Sequence, residues 1–392
     1  MRNSTQKRGV LFVPHSPTRN GAPIMLLHFL RWLERNGNRP FSTLFAEGGE
    51  LLTEFAATGN TRVASDSRWC PGGIRSQAMG ALGLTSLSSA AERADLRGFA
   101  VGCRPGLVYL NGFHSANFRL VELLDLGVPI LTHVHELGLL FRAQAGSAMP
   151  RMLSRTHRFI ACSGAVKNNL IREHRVEASR IDVVHEFISV GDVQAQRSRE
   201  HVLRELGFPI DAVVVVGCGT VAWNKGADIF VRLAQAVCKE RDRARFVWVG
   251  HGFGWDIPQH EHDVAMLGLA EKVRFIGHVT SPADYISAAD IFALTSRQDS
   301  FPLVCLEAAA LGKPIVCFAE GGGMPEFVEH DCGFVVSYLD VAAMSDRVIY
   351  LLDSPECRLE MGETARRKVA TRNDISNAAP RIAKIIDALI DE

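Results

Sequence analysis

Short apolar runs alternate with stretches of helical periodicity along this whole chain, and the alternation starts afresh at its middle. The clearest run is residues 213–216, four valines closed by Gly217. A short β-branched run bounded by a turn residue fits a strand buried on both faces, as in a parallel sheet. Residues 10–13 read the same way. Behind them come Ser16, Pro17, Asn20 and Gly21, then a helical pattern through Ile24, Leu27, Leu30 and Leu33 that ends near Gly37. Further first-half runs stand at 107–110, 129–134, 159–163 and 181–184. Second-half runs stand at 246–249, 273–276, 291–294, 314–318 and 334–336, with a helical pattern at 228–239. Strand–helix alternation in two blocks predicts an α/β protein of two doubly wound parallel-sheet domains. The seam is expected within 186–211, where Gly191-Asp192 and the charged stretch 196–205 carry no strand signal. A last helical pattern, 379–390, puts Ile382, Ile385, Ile386 and Leu389 on one side.

The length of 392 residues suits two or three domains with a large core. With 47% hydrophobic and 22% charged residues, the composition argues against disorder, collagen or a long coiled coil. The net charge of zero argues against uniform attraction to a polyanion, but it hides a division. Residues 1–185 hold 22 basic and 13 acidic side chains, a balance of +9; residues 186–392 hold 21 and 30, a balance of −9. Such asymmetry hints at an interaction surface on the first half. The nine cysteines form no CxxC pair and no zinc-type cluster, so free thiols of a reducing cytoplasm are expected. The apolar run after the basic N-terminus stops at Pro14, too short for a signal segment. No run approaches the ~18–20 apolar residues of a membrane span. A soluble or peripheral protein is expected.

Five stretches carry candidate chemistry. Thr18-Arg19-Asn20-Gly21-Ala22 joins the first strand to the first helix, where small residues admit a ligand and a helix N-terminus favours anions. A tight turn would explain the same residues, and the full GxGxxG dinucleotide fingerprint is absent. Gly217-Cys218-Gly219-Thr220-Val221-Ala222-Trp223-Asn224-Lys225-Gly226 follows the valine strand and could cradle a diphosphate beside a lysine, although the Walker A order is missing. Asp299 and Glu307 stand eight positions apart, with a helix expected to begin near Pro302. Asp299 then falls in the loop. Glu307 falls about a turn and a half into an apolar helix, where an acid needs a partner or a job. Glu320-Gly321-Gly322-Gly323-Met324-Pro325-Glu326 follows a strand at the sheet end where α/β proteins place ligands. His133-Val134-His135-Glu136 closes a first-half strand with both imidazoles on one face and no evident third metal ligand.

Together these stretches resemble glycosyltransferase family 4, the retaining enzymes of GT-B fold. The resemblance is strongest from residue 213 through Lys225-Gly226, Val247-Trp248-Val249-Gly250, Val273-Arg274-Phe275-Ile276-Gly277, Tyr285 to Asp290, Asp299 to Glu307, Gly312-Lys313-Pro314 and Gly321 to Glu326. In the first half only Asn20-Gly21-Ala22 and Val134-His135-Glu136 match. The resemblance implies two Rossmann-like domains facing a central cleft. It expects an N-terminal acceptor-side domain at 1–188, a donor-binding domain at 189–374, and a helix 375–392 packing back onto the first. It implies sugar transfer from a UDP- or GDP-linked donor with retention at the anomeric carbon. It expects no cofactor and no metal, since the nucleotide-sugar is a co-substrate.

By resemblance, Lys225 neutralises the donor diphosphate, Glu307 holds the ribose, Asp299 stands near the donor sugar, His135 reaches that sugar and Gly21 approaches the phosphates. Gly219, Thr220, Arg297, Leu303 and Val304 complete the expected donor set. Three positions depart from the family. Thr220 stands where an arginine is usual, leaving Arg297, Arg19 or Asn224 as substitutes; Asp299 replaces a glutamate; and Pro302 removes one backbone donor from the loop.

The acceptor is expected on the basic first domain, as a glycan, lipid-linked or phosphorylated molecule of cell-surface polysaccharide or glycolipid synthesis. Arg151, Arg155 and Arg158 recur at helical spacing, with Arg142, Leu139, Leu140 and Phe141 upstream, a pattern that could rest on the inner face of an anionic membrane. A solvated basic face would look the same. Nucleic acid is not expected, because no aromatic–basic interleaving occurs. Two other classes fit the motifs: an epimerase-like GT-B enzyme, and a silent nucleotide-sugar-binding protein.

Overall fold

Strand pairing follows the two-block pattern of the apolar runs. The computed structural model describes residues 7–37, 39–64 and 90–392. Among these, seven parallel strands form the first sheet: β1 (Gly9–Pro14), β2 (Phe41–Phe45), β3 (Asn60–Val63), β4 (Pro105–Asn111), β5 (Ile130–Val134), β6 (Arg158–Ala161) and β7 (Ile181–Val183). Their spatial order is β3-β2-β1-β4-β5-β6-β7. Six form the second: β8 (Val213–Cys218), β9 (Ala244–Val249), β10 (Val273–Phe275), β11 (Ile291–Leu294), β12 (Ile315–Phe318) and β13 (Gly333–Val336), in the order β10-β9-β8-β11-β12-β13. In each sheet the order reverses once, between β1 and β4 and between β8 and β11, where Phe292 pairs with Val216. These switch points place the candidate sites, because the connections leave the two central strands in opposite directions and open a crevice at their carboxyl ends.

The valine run is buried because helices cover the sheet. Helix Ala227–Glu240 turns Phe230, Leu233, Ala234 and Val237 inward, and Phe230 meets Trp248 edge-on at 5.2 Å. At ~25 cal/mol per Å2, the buried Phe, Leu and Val side chains each contribute about 1.5–3 kcal/mol before conformational entropy is subtracted. Contacts divide the chain into two units. The first comprises Met1–Cys162, Val166–Val184 and Ala379–Glu392; the second comprises Ser163–Ala165 and His185–Ala378. Helix Ile375–Asp391 therefore begins in the second unit and ends in the first, where Asp387 and Asp391 bind Arg39 at 2.5 and 2.8 Å.

The expected basic face on one helix needs correction. Helix Met149–Arg155 stops at Thr156, whose backbone is extended (φ −71°, ψ 123°). The buried Thr156 hydroxyl turns back to Met152 O at 2.8 Å, and the chain enters the sheet. Arg158 is thus a β6 residue with Nε 2.6 Å from Asp182 Oδ2, while Arg151 and Arg155 remain exposed on the helix. Arg142 is exposed on helix Gly138–Ala145, beside exposed Leu139 and Leu140. The eight described cysteines form no disulfide with one another; Cys70 and the first six residues lie outside the described residues. Among the described residues no helix is long and apolar enough to cross a membrane.

Candidate functional site

In the second unit, glycine backbones join the loops after β8 and β11. Gly226 adopts φ +71°, and a Cβ there would stand 2.0 Å from Thr295 O. Thr295 Oγ1 donates to Gly226 O at 2.9 Å, and the Arg297 N–H donates to Asn224 O at 2.8 Å. This seam brings Lys225 Nζ to 2.6 Å from Asp299 Oδ2. The Asp299 side chain is only 9% exposed and also accepts the Ser296 hydroxyl at 3.3 Å. The lysine stem lies along Gly219, whose φ of +150° suits a residue without a side chain.

Gly321, Gly322 and Gly323 pack against the same loop. Asp299 N–H donates to Gly321 O at 2.7 Å, and Gly323 N–H donates to Ser300 O at 3.0 Å. At Gly322 (φ +138°) a Cβ would lie 1.7 Å from Asp299 O. Close backbone approach therefore explains the triple glycine.

Pro302 precedes helix Leu303–Ala310, as its fixed φ allows, and no side chain caps that helix. The N–H groups at Leu303 and Val304 lie in the first turn, where helices leave donors without intrahelical partners and favour negative charge. Glu307 stands half-buried in the second turn. Burial pushes its carboxyl up, and among the described residues its carboxylate accepts no hydrogen bond. A desolvated, unpaired carboxylate is costly unless something else donates to it.

Arg297 is committed elsewhere. Its guanidinium binds both Asp228 oxygens at 2.8 and 2.6 Å, donates to Trp223 O at 2.9 Å and stacks over the Trp223 ring. Arg19, in the first unit, pairs with Glu54 at 3.2 Å. Asn224 Nδ2 donates to Gln298 O at 3.4 Å.

The first unit carries its own cluster at the β1/β4 switch point. Gly21 opens helix Gly21–Asn36. Asn111, the last residue of β4, donates from Nδ2 to Ala22 O at 3.1 Å, so its Oδ1 faces His135 and accepts the Nε2–H at 3.0 Å. This amide fixes both the imidazole and the backbone beside Gly21, a link the sequence reading missed although Asn111-Gly112 follows a strand run. The His133 and His135 rings lie 4.1 Å apart, and Tyr109 holds His133 at 2.6 Å. Burial, then His135, pushes the His133 imidazole well down, so it is neutral. Glu136 accepts the N–H groups of Phe113 (2.9 Å) and His135 (3.1 Å), tying the ends of β4 and β5 together.

The family model described as Glycosyltransferase Family 4 matches residues 19–191, and the one described as Glycosyl transferases group 1 matches residues 212–354. The chain belongs to glycosyltransferase family 4. Among curated proteins, this family 4 chain is similar to the D-inositol 3-phosphate glycosyltransferase of Salinispora arenicola, 31% identical over 62% of this chain and 59% of that protein. It is also similar to D-inositol 3-phosphate glycosyltransferase 2 of Catenulispora acidiphila, 28% identical over 61% and 60%. The match thus spans about three fifths of these relatives' length. Among solved structures, Anabaena Alr3699/HepE in complex with UDP and glucose aligns with TM-score 0.79 at 18% identity, covering 97% of this chain and 100% of that one. Sucrose-phosphate synthase from Thermosynechococcus elongatus aligns with TM-score 0.78 at 16% identity, covering 98% and 100%. With the two parallel sheets, these likenesses give the family 4 chain the GT-B fold.

Proposed function

We propose that this protein transfers a sugar from a nucleotide-sugar to an acceptor hydroxyl, retaining the anomeric configuration. The observation that carries the reading is Glu307. It is a carboxylate raised by burial and without a hydrogen-bond donor among the described residues, on a helix that begins four residues after Asp299, the partner of Lys225. A carboxylate accepts at two oxygens and suits the paired hydroxyls of a ribose. Lys225 and the first-turn N–H groups at Leu303 and Val304 suit a diphosphate. In the reaction the bond from the anomeric carbon to the phosphate oxygen breaks, and its electron pair leaves with the diphosphate. The acceptor oxygen bonds to the same face, and its proton passes to the departing phosphate. Lys225 stabilises the charge that develops there, and Asp299 answers the cationic character that forms on the sugar. This route asks for no metal and no cofactor.

The finer reading assigns the acceptor to the basic first unit, as a glycan, lipid-linked or phosphorylated molecule of cell-surface polysaccharide or glycolipid synthesis at the inner face of the membrane. Supporting it are the +9 of residues 1–185, the exposed Arg142, Arg151 and Arg155, and relatives named for inositol 3-phosphate.

Release of nucleoside diphosphate from a panel of UDP- and GDP-sugars tests the central reading. Lys225→Ala is expected to lower turnover about 10²–10³-fold. Glu307→Gln is expected to weaken donor binding by about tenfold, the loss of one charge-assisted bond. Tight donor binding without turnover under every acceptor would favour a silent binding protein.

A further inference from the structure

We propose that Glu326 and His185 are positioning residues for the loop that carries Asp299, an inference that rests on the reading of that loop as part of the donor site. The contacts form a closed circuit within the second unit. The loop lies on Gly321–Gly323 through its backbone, and Gly323 O accepts the Glu326 N–H at 3.0 Å. The Glu326 carboxylate binds three donors: the N–H groups of Gly164 and Ala165 at 2.9 Å each, and His185 Nε2 at 2.8 Å. The His185 ring stacks on Phe301 at 5.0 Å with 20° between planes. Phe301 is buried two residues after Asp299, which closes the circuit. A Cβ at Gly323 would meet Ser300 O at 2.3 Å and Ser163 Cβ at 2.6 Å, so the loops have no slack there.

The carboxylate is the keystone because all three of its partners donate. Burial pushes the Glu326 carboxyl up, but the bonds from His185, Gly164 and Ala165 together outweigh burial and hold it below its ordinary range. It is therefore ionised at neutral pH. A glutamine there would turn an NH2 group toward a donor and break the set. The stack then loses its anchor, and Phe301 and Asp299 gain freedom. Neither Glu326 nor His185 bonds a group assigned to the diphosphate or ribose, so ground-state donor binding should survive while the geometry required in the transition state suffers.

Hydrogen exchange and kinetics test this separately. In Glu326→Gln, and in His185→Phe, which keeps a ring on Phe301 but cannot donate, backbone amides at 296–301 should exchange at least about threefold faster, with the β8–β9 amides unchanged. In the same variants kcat should fall about 10- to 100-fold while the donor KM stays within about twofold. Glu326→Gln and Phe301→Leu, two residues linked through His185, should be non-additive in kcat. Unchanged exchange at 296–301, additive losses, or a KM rise equal to the kcat fall would overturn the proposal. Should one variant fail to fold by circular dichroism, the other carries the test. Faster loop exchange in a protein whose wild type turns over no donor would instead sink the glycosyltransferase reading and leave the brace standing.

Discussion

Lys225 and Asp299 hold each other at 2.6 Å, so an incoming diphosphate must compete with the aspartate for the ammonium. Asp299→Asn removes that competitor. Nucleoside diphosphate should then bind severalfold more tightly by calorimetry, while turnover falls about 10²-fold, as when a transition-state contact is lost. Weaker binding would mean that the pair organises the phosphate site rather than restraining it. At this scale much of the candidate site was legible in the sequence. Lys225, Asp299 and Glu307 stand in loops and helix turns whose spacing a linear reading captures. Asn111 and the Glu326–His185–Phe301 circuit were not legible, because their partners lie far along the chain: His185 meets Glu326 across 141 positions. Arg297 shows what a linear reading leaves out. Its charge nominated it for the diphosphate, and only the fold reveals that Asp228 has already engaged it.

Helices and strands show where pattern reading works. β11 was expected at 291–294 and spans Ile291–Leu294, because a buried central strand has little but apolar residues to offer. β2 and β3 were not expected. β2 places Ser42 and Thr43 in buried positions, and β3 is an edge strand with no buried residue, so neither writes an apolar run. The arginine spacing at 151, 155 and 158 mimicked a helix face that Thr156 interrupts. Helix Ser115–Leu124 carries a testable pH dependence. His114 caps it by accepting the Ala116 N–H at Nδ1, 3.1 Å away, and stacks on His15 at 3.8 Å. Burial, then His15 and Arg119, pushes the His114 imidazole down to about 4. Its folded value lies below its unfolded one, so the unfolded chain binds more protons between roughly pH 4 and 6.5. The stability it contributes is complete above that window and is lost as pH falls through it. His114→Asn keeps a capping oxygen without the titration. Its melting temperature should therefore fall less steeply than the wild type's over that window in differential scanning calorimetry. Parallel curves would remove His114 from the account.

At the scale of the molecule, the chain is not two beads in series. It passes into the second unit at Ser163, back at Val166, over again at His185 and home at Ala379. The last fourteen residues, Ala379–Glu392, bury Ile382, Ile386, Leu389 and Ile390 and bring Asp387 to Arg39. Deleting them should therefore melt the first unit and spare the second. Limited proteolysis should degrade residues 7–162 first and leave a resistant fragment beginning near 185. Simultaneous loss of both would show that the units fold only together. The interleaving also sets the terms on which such a protein can be recombined. A chimera that takes its second unit from another family member cannot be made with one splice that runs to the end of the chain, since the borrowed tail would have to fit a foreign β1 and β2. It needs two cuts, at 184/185 and 378/379, and it needs Glu326 to find its donors at Gly164 and Ala165, which a cassette of 185–378 leaves behind in the host. Specificity in this architecture can be exchanged as a cassette only where those few backbone donors already match.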